Sequence, residues 1–342
     1  MQQDRYHSLR TASLMVAFMV GYHYAYQYYI KWLQKKDDDI PEDCPGIESA
    51  EAGTKEPCKG CPNQAKCASG DMKREKMELQ SSVAANLSQI RNIILVMSGK
   101  GGVGKSTVST QLAYMLSDSG NQVGLLDIDL TGPSVPGMTS TANAEVFESA
   151  HGWTPVYVSK TLSVLSIGHL LRDPKQSIIW RGPKKDSLIR QFLLGVSWGE
   201  LDYLVVDCPP GSSDEHITIC TLLEGMNPKS ILVTTPQKRC IDDVYRSAAF
   251  CKTAKVEIIA LVENMTKSVF DSSEESNTQD LCNSFDIKNI MKLDMQEDIV
   301  NAGEEGRPLK DFTCLRPLEQ FIAGHTPEIA ETNNVVQPEV EQ

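Results

Sequence analysis

The sequence of 342 residues lacks an excess of basic side chains: 33 Lys and Arg stand against 45 Asp and Glu, a formal charge of −12. Proteins that wrap nucleic acid gain much of their binding energy from neutralised phosphates, so this charge argues against nucleic acid as a partner. Ten cysteines are too sparse for a disulfide-stabilised miniprotein. The apolar fraction of 41% argues against a disordered chain, and the length suits one large α/β domain with appendages or two modest domains.

Long apolar runs are scarce, and the one candidate for a membrane segment lies near the N-terminus. Residues 14–30 (LMVAFMVGYHYAYQYYI) carry no formal charge and are followed by Lys31, Lys35 and Lys36. As a helix they would extend about 26 Å, at the lower limit for crossing a hydrocarbon core of roughly 30 Å. Its aromatic residues suit a membrane interface, so we predict a marginal anchor over about residues 13–33. The alternative is an amphipathic helix packed on the protein or on a partner.

Four cysteines cluster in a segment without helical or alternating apolar pattern, residues 37–70. They follow the spacing C-x13-C-x2-C-x5-C and are Cys44, Cys58, Cys61 and Cys67. Only a bound metal centre could order so polar a segment, and four thiolates suit a 4Fe-4S cluster. From the chemistry alone, tetrahedral sulfur could equally hold zinc. We therefore predict an irregular cysteine module at this point of the chain.

The remainder of the chain predicts a linker, a large domain and a tail. Residues 71–90 are polar and charged, as in a linker with some helical propensity. Over residues 91–322, longer amphipathic segments alternate with short apolar runs, at 93–97, 123–126, 162–167, 203–206, 231–233 and 258–262. Such runs are typical of strands buried on both faces, so we predict an α/β fold with a doubly wound, mostly parallel sheet. Residues 323–342 predict an acidic, disordered tail.

A phosphate-binding motif directly follows the first predicted strand. It satisfies G-x-x-x-x-G-K-[ST] and consists of Gly99, Lys100, Gly101, Gly102, Val103, Gly104, Lys105, Ser106 and Thr107. In a strand–loop–helix context, the backbone N–H groups of such a loop converge on phosphate oxygens. Lys105 is expected to contact the β and γ phosphates, and Ser106 to offer its hydroxyl to Mg²⁺. The predicted cofactors of this site are ATP and Mg²⁺.

Two further strands each end in a carboxylate. Asp129 follows the second strand, where it can order the waters of Mg²⁺ or the attacking water, and we assign this role mainly to Asp129 rather than to Asp127. Asp207 follows the apolar run 203–206 and is interpreted as the Walker B carboxylate. The Pro-Pro-Gly at 209–211 is interpreted as a stiff switch that registers the γ-phosphate.

The phosphate loop contains an additional lysine, Lys100, before Lys105. With it the motif resembles the deviant Walker A motif of the SIMIBI class. Together with D-x-D-x-x-G-P-S from Asp127, the strings at 180–185 (WRGPKK), 209–216 (PPGSSDEH) and 263–265 (ENM) resemble the Mrp/NBP family, ATPases that act as scaffolds for iron–sulfur cluster assembly. The resemblance covers about residues 40–320. It implies a homodimer, or a heterodimer with a related scaffold ATPase, in which Lys100 reaches the partner's nucleotide.

The same resemblance implies further roles. It places Asn264 against the adenine base, Pro236 and Gln237 in the nearby nucleotide-site loop, and residues 181–185 beside the dimer interface. Eukaryotic members of the NUBP type carry an N-terminal ferredoxin-like cysteine motif, so the resemblance favours a 4Fe-4S cluster over zinc in the cysteine module. Apo iron–sulfur proteins are the implied clients.

One feature of the family is missing from the sequence. Relatives carry a C-x-x-C pair soon after E-N-M, and two protomers use these pairs to hold a bridging, transferable cluster, but residues 265–275 (MTKSVFDSSEE) contain no cysteine. The nearest thiol, Cys282, is interpreted as a helix-buried packing residue rather than as a cluster ligand. We interpret the remaining cysteines as packing residues too: Cys208, Cys220, Cys240, Cys251 and Cys314.

Three functions are compatible with these observations. The favoured one is an ATP-hydrolysing scaffold that assembles iron–sulfur clusters and transfers them to cytosolic and nuclear apoproteins, held on the cytosolic side of a membrane. The mitochondrial outer membrane is preferred over the endoplasmic reticulum, because its anchors are short and flanked by basic residues. A MinD/ParA-like positioning ATPase explains the anchor but not the four cysteines. A non-enzymatic adaptor is disfavoured by the intact Lys105, Ser106, Asp129 and Asp207.

Overall fold

The computed structural model describes residues 43–149, 152–171, 182–266 and 278–324. Its strands are β1 (Ile90–Ser98), β2 (Val123–Asp127), β3 (Phe147–Ser149), β4 (Gly152–Thr154), β5 (Val156–Tyr157), β6 (Leu162–Ser166), β7 (Leu201–Pro210), β8 (Lys229–Thr234), β9 (Glu257–Thr266) and β10 (Ile290–Asp294). Its α-helices are α1 (Gln64–Ala68), α2 (Asp71–Asn86), α3 (Lys105–Asp118), α4 (Val135–Met138), α5 (Gly182–Gly195), α6 (Asp214–Leu222), α7 (Lys238–Thr253), α8 (Thr278–Phe285), α9 (Glu297–Glu305) and α10 (Arg316–Ala323).

Eight strands form a mostly parallel sheet in the order β10-β9-β8-β1-β7-β2-β6-β5, which confirms the predicted fold class. All six predicted apolar runs are strands of this sheet. The exception to the parallel arrangement is β5, which pairs antiparallel to β6 at one edge, while β3 and β4 form a separate hairpin. At the opposite edge, β10 buries Met291 and Leu293 and exposes Lys292, so it lacks the continuous apolar run that identified the inner strands.

Helices cover both faces of the sheet, and the strand side chains alternate between two cores. In β7, Leu204 and Val206 pack on the face that also holds Phe192 of α5, whereas Val205 packs on the face that holds Leu112 of α3. All five side chains are fully buried. Burial on both faces explains why these strands read as unbroken apolar runs.

The segment predicted as a linker forms a 16-residue helix, α2, which docks on the large domain. Val83 and, just beyond the helix, Leu87 are fully buried, and Asn86 Nδ2 donates to the carbonyls of Leu193 and Val196 at 2.8 and 3.2 Å. Gln80 Nε2 donates to the carbonyl of Thr221 in α6 at 2.7 Å. The helical propensity of the sequence is therefore expressed as a packed connection between the cysteine module and the sheet.

The predicted anchor at residues 13–33 and most of the predicted tail lie outside the described residues. Within the part of the chain that the structure describes, no helix is both long and apolar enough to span a bilayer.

Candidate nucleotide site and cysteine module

The phosphate loop connects β1 to the N-terminus of α3, as the motif predicts. Gly102 and Gly104 have left-handed φ values of +81° and +87°. A Cβ atom on Gly104 would lie 2.2 Å from Nδ2 of Asn264, and one on Gly99 would lie 2.2 Å from the backbone carbon of Asp243. The loop is thus held between the Asn264 side chain of β9 and the backbone of α7, where such close approach requires glycine.

Three side chains of α3 converge on Asp207, which is fully buried at the carboxyl end of β7. Lys105 Nζ lies 2.8 Å from Asp207 Oδ1, Ser106 Oγ donates to Oδ2 at 2.6 Å, and Ser109 Oγ donates to Oδ1 at 2.9 Å. Burial opposes the charge of Lys105, but nearby carboxylates, chiefly that of Asp207, outweigh it and raise the lysine pKa. The cation expected at the phosphates and the hydroxyl expected at Mg²⁺ therefore share one site.

Asp129 lies just beyond β2, at the carboxyl ends of the parallel strands, as Asp207 does. Its Oδ2 is 4.0 Å from Lys105 Nζ, and its Oδ1 accepts from Thr131 Oγ1 at 2.9 Å. The side chain is largely buried. The structure thus brings together three of the residues predicted to be catalytic, Lys105, Asp129 and Asp207.

Asp127 is a further component of the site, beside Asp129 and Asp207. It is fully buried and paired in register with Asp207 on the neighbouring strand. Its Oδ1 accepts from Asp129 N at 2.9 Å and its Oδ2 from Ser166 Oγ at 2.9 Å. Burial first, and then the charge of Asp207, raise the Asp127 pKa to about 8. The available signal was its position as the first acid of D-x-D, at the last residue of a buried strand.

Lys100 is exposed at the opposite end of the phosphate loop from Lys105. Its carbonyl accepts from Ser98 Oγ at 3.0 Å, and Ser98 O in turn accepts from Gly211 N at 2.8 Å. This pair of bonds ties the predicted switch at 209–211 to the phosphate loop. The role of Lys100 across a dimer interface stays a prediction.

Asn264 lies at the end of β9, against the phosphate loop. It is 5% exposed, its Nδ2 donates to Val103 O at 2.9 Å, and its Oδ1 accepts from Met265 N at 2.9 Å. Pro236 is half-buried after β8, the strand next to β9. Both residues thus lie near the carboxyl ends of adjacent strands, and the predicted roles of Asn264 at the adenine and of Pro236 in the nearby loop rest on the resemblance.

The segment predicted beside the dimer interface is described only in part, since Arg181 lies outside the described residues. At its other end, Lys185 Nζ pairs with Glu215 Oε1 at 2.7 Å. Glu215 is buried in the first turn of α6, directly after the predicted switch. The Lys185 end of this segment is therefore linked to α6, the helix that follows the predicted switch.

All four cysteines of the N-terminal module line one pocket. Cys58 is buried, Cys61 and Cys67 are half-buried, and Cys44 is exposed. Burial, and then the proximity of the other three thiols, raise the Cys67 pKa. Among the described residues, no group of three or more His, Cys, Asp or Glu is placed to hold a metal ion. As the structure describes them, the four thiols therefore share one pocket without forming a metal-binding group.

Short local structure forms this pocket despite the absence of a sequence pattern. A 3-10 helix spans Glu56–Cys58, and Cys61 N donates to the carbonyl of Cys58 at 3.1 Å. Gln64 Nε2 donates to the carbonyl of Gly53 at 3.2 Å. Gly53 has a φ of +77°, and a Cβ there would lie 2.4 Å from Ala68 N, so the two halves of the module meet at a glycine.

The other six cysteines lie elsewhere, and their burial agrees with the packing interpretation. Five are buried and Cys314 is half-buried. Burial raises the pKa of Cys208 far above its usual value, that of Cys220 to about 12, and those of Cys251 and Cys282 to about 11. Thiols of this kind are poor nucleophiles and poor metal ligands at neutral pH.

The parallel sheet and the loop before α3 define a P-loop NTPase. The family model described as ParA, NUBPL iron-transfer P-loop NTPase, matches residues 89–328, and the chain belongs to this family. This confirms the family resemblance of the sequence motifs.

Two solved structures are informative for comparison. A nucleotide-binding protein of Archaeoglobus fulgidus, solved in complex with ADP and with cobalt, is 30% identical over 68% of this chain and 93% of that chain, with a TM-score of 0.57. The cell division ATPase MinD of Pyrococcus furiosus is 20% identical over 68% of this chain and 99% of that chain, with a TM-score of 0.50. The second likeness concerns the fold alone. The cysteine module precedes the region matched by the family model.

Proposed function

We propose that the protein is an ATP-hydrolysing scaffold on which iron–sulfur clusters are assembled and from which they are transferred to apoproteins of the cytosol and nucleus. The observation that carries the proposal is the single pocket lined by Cys44, Cys58, Cys61 and Cys67. This pocket belongs to the same chain as a P-loop NTPase of an iron-transfer family. A packed helix, α2, joins the two.

The iron-transfer family of the chain supports a 4Fe-4S cluster in preference to zinc. A zinc ion held at about 2.3 Å by four thiolates requires sulfurs that converge on one point. The four described thiols line one pocket but form no group placed to hold a metal ion, so the choice of iron rests on the iron-transfer family to which the chain belongs. Four cysteine thiolates are the usual ligands of a 4Fe-4S cluster, which occupies more space than one ion.

The nucleotide site supports hydrolysis of ATP. Lys105 and the backbone of the phosphate loop would hold the phosphates, while Ser106, Asp129 and Asp207 would hold Mg²⁺ directly or through water. The bound ion would neutralise charge that develops on the phosphates. We assign the orientation of the attacking water to Asp129, because its largely buried carboxylate lies 4.0 Å from Lys105 Nζ.

A continuous path of contacts supports coupling between the nucleotide and the cysteine module. Gly211 N binds Ser98 O at the phosphate loop, and α6 begins three residues later. The far end of α6 accepts the Gln80 side chain of α2. Lys76 of α2 pairs with Glu224 beyond α6 at 3.2 Å and with Glu48 of the module at 2.9 Å. A movement of the predicted switch at 209–211 would therefore be transmitted through these contacts to the cysteine module.

The dimer and the membrane attachment are part of the same proposal. Lys100 is exposed beside the phosphate loop, where it is free of the Asp207 cluster and available to a second protomer. Residues 13–33 would attach the dimer to the cytosolic side of the mitochondrial outer membrane. Alkaline carbonate extraction tests the attachment: full-length protein should stay in the pellet, and its release into the soluble fraction would remove the anchor.

Anaerobic reconstitution with iron and sulfide tests the cluster. Wild type should hold about four irons per chain, with the charge-transfer absorbance of a 4Fe-4S centre. The double variant Cys58→Ala/Cys61→Ala should lose both, whereas Cys314→Ala, a thiol outside the module, should retain them. Equal iron in wild type and the double variant contradicts the cluster, and stoichiometric zinc in the purified protein would favour the zinc alternative.

A further inference from the structure

A buried chain of polar side chains leads away from the nucleotide site on the side opposite Asp207. It begins at Ser166, the last residue of β6, which is paired in register with Asp127 of β2. Ser166 Oγ donates to Asp127 Oδ2 at 2.9 Å and accepts from Gly168 N at 3.0 Å. Because a hydroxyl has one hydrogen, the Ser166 donor is committed to the Asp127 carboxyl.

His169 holds this serine in place. The imidazole lies in the 3-10 helix Ile167–Leu170, and its Nδ1 accepts from Ser166 N at 3.2 Å. The other ring nitrogen, Nε2, therefore carries the hydrogen and donates to Thr141 Oγ1 at 2.8 Å. His169 is 8% exposed, and burial lowers its pKa to about 4, so the ring is neutral and this arrangement is stable at neutral pH.

The other end of the chain reaches Asp129. Asp127 Oδ1 accepts from Asp129 N at 2.9 Å, so the two oxygens of Asp127 join Ser166 to the backbone of Asp129. Without the Ser166 hydroxyl, the Asp127 carboxyl would lose one of its two fixed partners. The remaining partner is the backbone of Asp129, so a displaced Asp127 carboxyl would also loosen its hold on Asp129.

We propose that His169 and Ser166 are positioning residues for ATP hydrolysis, acting through Asp127 to hold Asp129 in its working position. The inference rests on the proposed function, because it requires that the protein hydrolyse ATP. Ser166 contacts Asp127 and His169 contacts Ser166, so both act through Asp127. Outer partners of metal-site and active-site residues commonly affect activity by about 10- to 100-fold.

Steady-state hydrolysis of ATP by the full-length chain tests the proposal. His169→Leu and Ser166→Ala should each lower kcat roughly tenfold. KM for ATP and the affinity for ADP should stay close to wild type, because the phosphate loop is untouched. His169→Asn should recover most of kcat, since its amide oxygen can accept from Ser166 N. In the double variant Ser166→Ala/His169→Leu, kcat should be no lower than in Ser166→Ala alone.

A matched control separates positioning from stability. Thr141→Val removes the hydrogen-bond partner of His169 Nε2 and should lower the melting temperature, yet it leaves the Ser166 contact intact and should keep kcat near wild type. The proposal is overturned if His169→Leu keeps the wild-type kcat, if Asn is no better than Leu, or if Thr141→Val loses as much kcat. Absence of hydrolysis by the wild type would instead overturn the proposed function.

Discussion

Replacing Gly104 by alanine should weaken nucleotide binding through a contact that can be measured separately. Gly104 has a φ of +87°, and an added Cβ would lie 2.2 Å from Asn264 Nδ2. An alanine in the left-handed region is disfavoured by about 1–2 kcal/mol. Displacement of Asn264 would also break its 2.9 Å bond to Val103 O, a loss of about 1 kcal/mol. Together these terms amount to about 2–3 kcal/mol, or roughly 30- to 150-fold in an equilibrium constant.

Gly102→Ala is the matched control. Gly102 has a φ of +81°, but a Cβ there would meet no atom within 4 Å. This variant should show the backbone strain without the displacement of Asn264. Urea unfolding measures the loss in free energy of unfolding, and titration with a fluorescent ADP analogue measures the loss in binding free energy. The sum of the two losses should be about 1 kcal/mol larger for Gly104→Ala than for Gly102→Ala.

A double-mutant cycle with Asn264→Ala isolates the contact. Once the amide is removed, Gly104→Ala should lose only what Gly102→Ala loses, because the group with which its Cβ collides is absent. Equal losses for the two glycine variants in the wild-type background, or a full loss from Gly104→Ala in the Asn264→Ala background, would refute the packing of Asn264 on the phosphate loop.

Three other predictions concern the site and its support. Lys105→Ala should abolish ATP hydrolysis and lower the free energy of unfolding by about 3–5 kcal/mol, because it leaves Asp207 buried without its cation; the exposed Lys100→Ala should leave stability within about 0.5 kcal/mol. The Asp127 pKa is raised from 3.8 to about 8 on folding, so its contribution to stability is present at low pH and declines as the pH rises. Asp127→Asn should therefore gain stability relative to wild type between about pH 5 and pH 8 in urea titrations, and a constant difference would contradict the shift. Val83→Ala, at the fully buried contact of α2, should lower the free energy of unfolding by roughly 2 kcal/mol, whereas the exposed Met77→Ala should change it little.

The sequence predicts the inner strands of this fold well, because strands buried on both faces consist of continuous apolar runs. Strands β1, β2 and β6–β9 are apolar runs, and the phosphate loop is defined by glycines whose backbone angles few other residues adopt. Strand β10 is partly exposed, so buried and exposed residues alternate along it, and no apolar run identifies it in the sequence. Helix α2 has few apolar residues. Its docking depends on the burial of Val83 and on bonds from the Asn86 side chain to the carbonyls of Leu193 and Val196, which no local pattern reveals.

The site is predictable only as far as motifs reach. Lys105, Ser106 and Asp207 are identified by their spacing from strands, and they converge as expected. Asp127 is less evident, because the D-x-D pattern places two acids at the strand end without indicating that the first one contacts Ser166 and pairs in register with Asp207. Ser166 and His169 act at a distance in sequence of about 40 residues from Asp127, which only the pairing of β2 with β6 brings together.

The location of the transferable cluster is the last prediction. Residues 265–275 contain no cysteine, and Cys282 is 2% exposed, with a pKa that burial raises to about 11. Cys282 would have to lose both its packing and its proton to bind iron, and two protomers would supply only two such ligands where four are needed. Cys282→Ser should therefore retain the iron content of wild type and transfer clusters to an apo iron–sulfur protein at the wild-type rate. A loss of transfer with unchanged iron in the N-terminal module would instead assign Cys282 to a bridging site. If the prediction is correct, a transferred cluster must come from the module itself or from a heterodimer partner that brings its own cysteine pair.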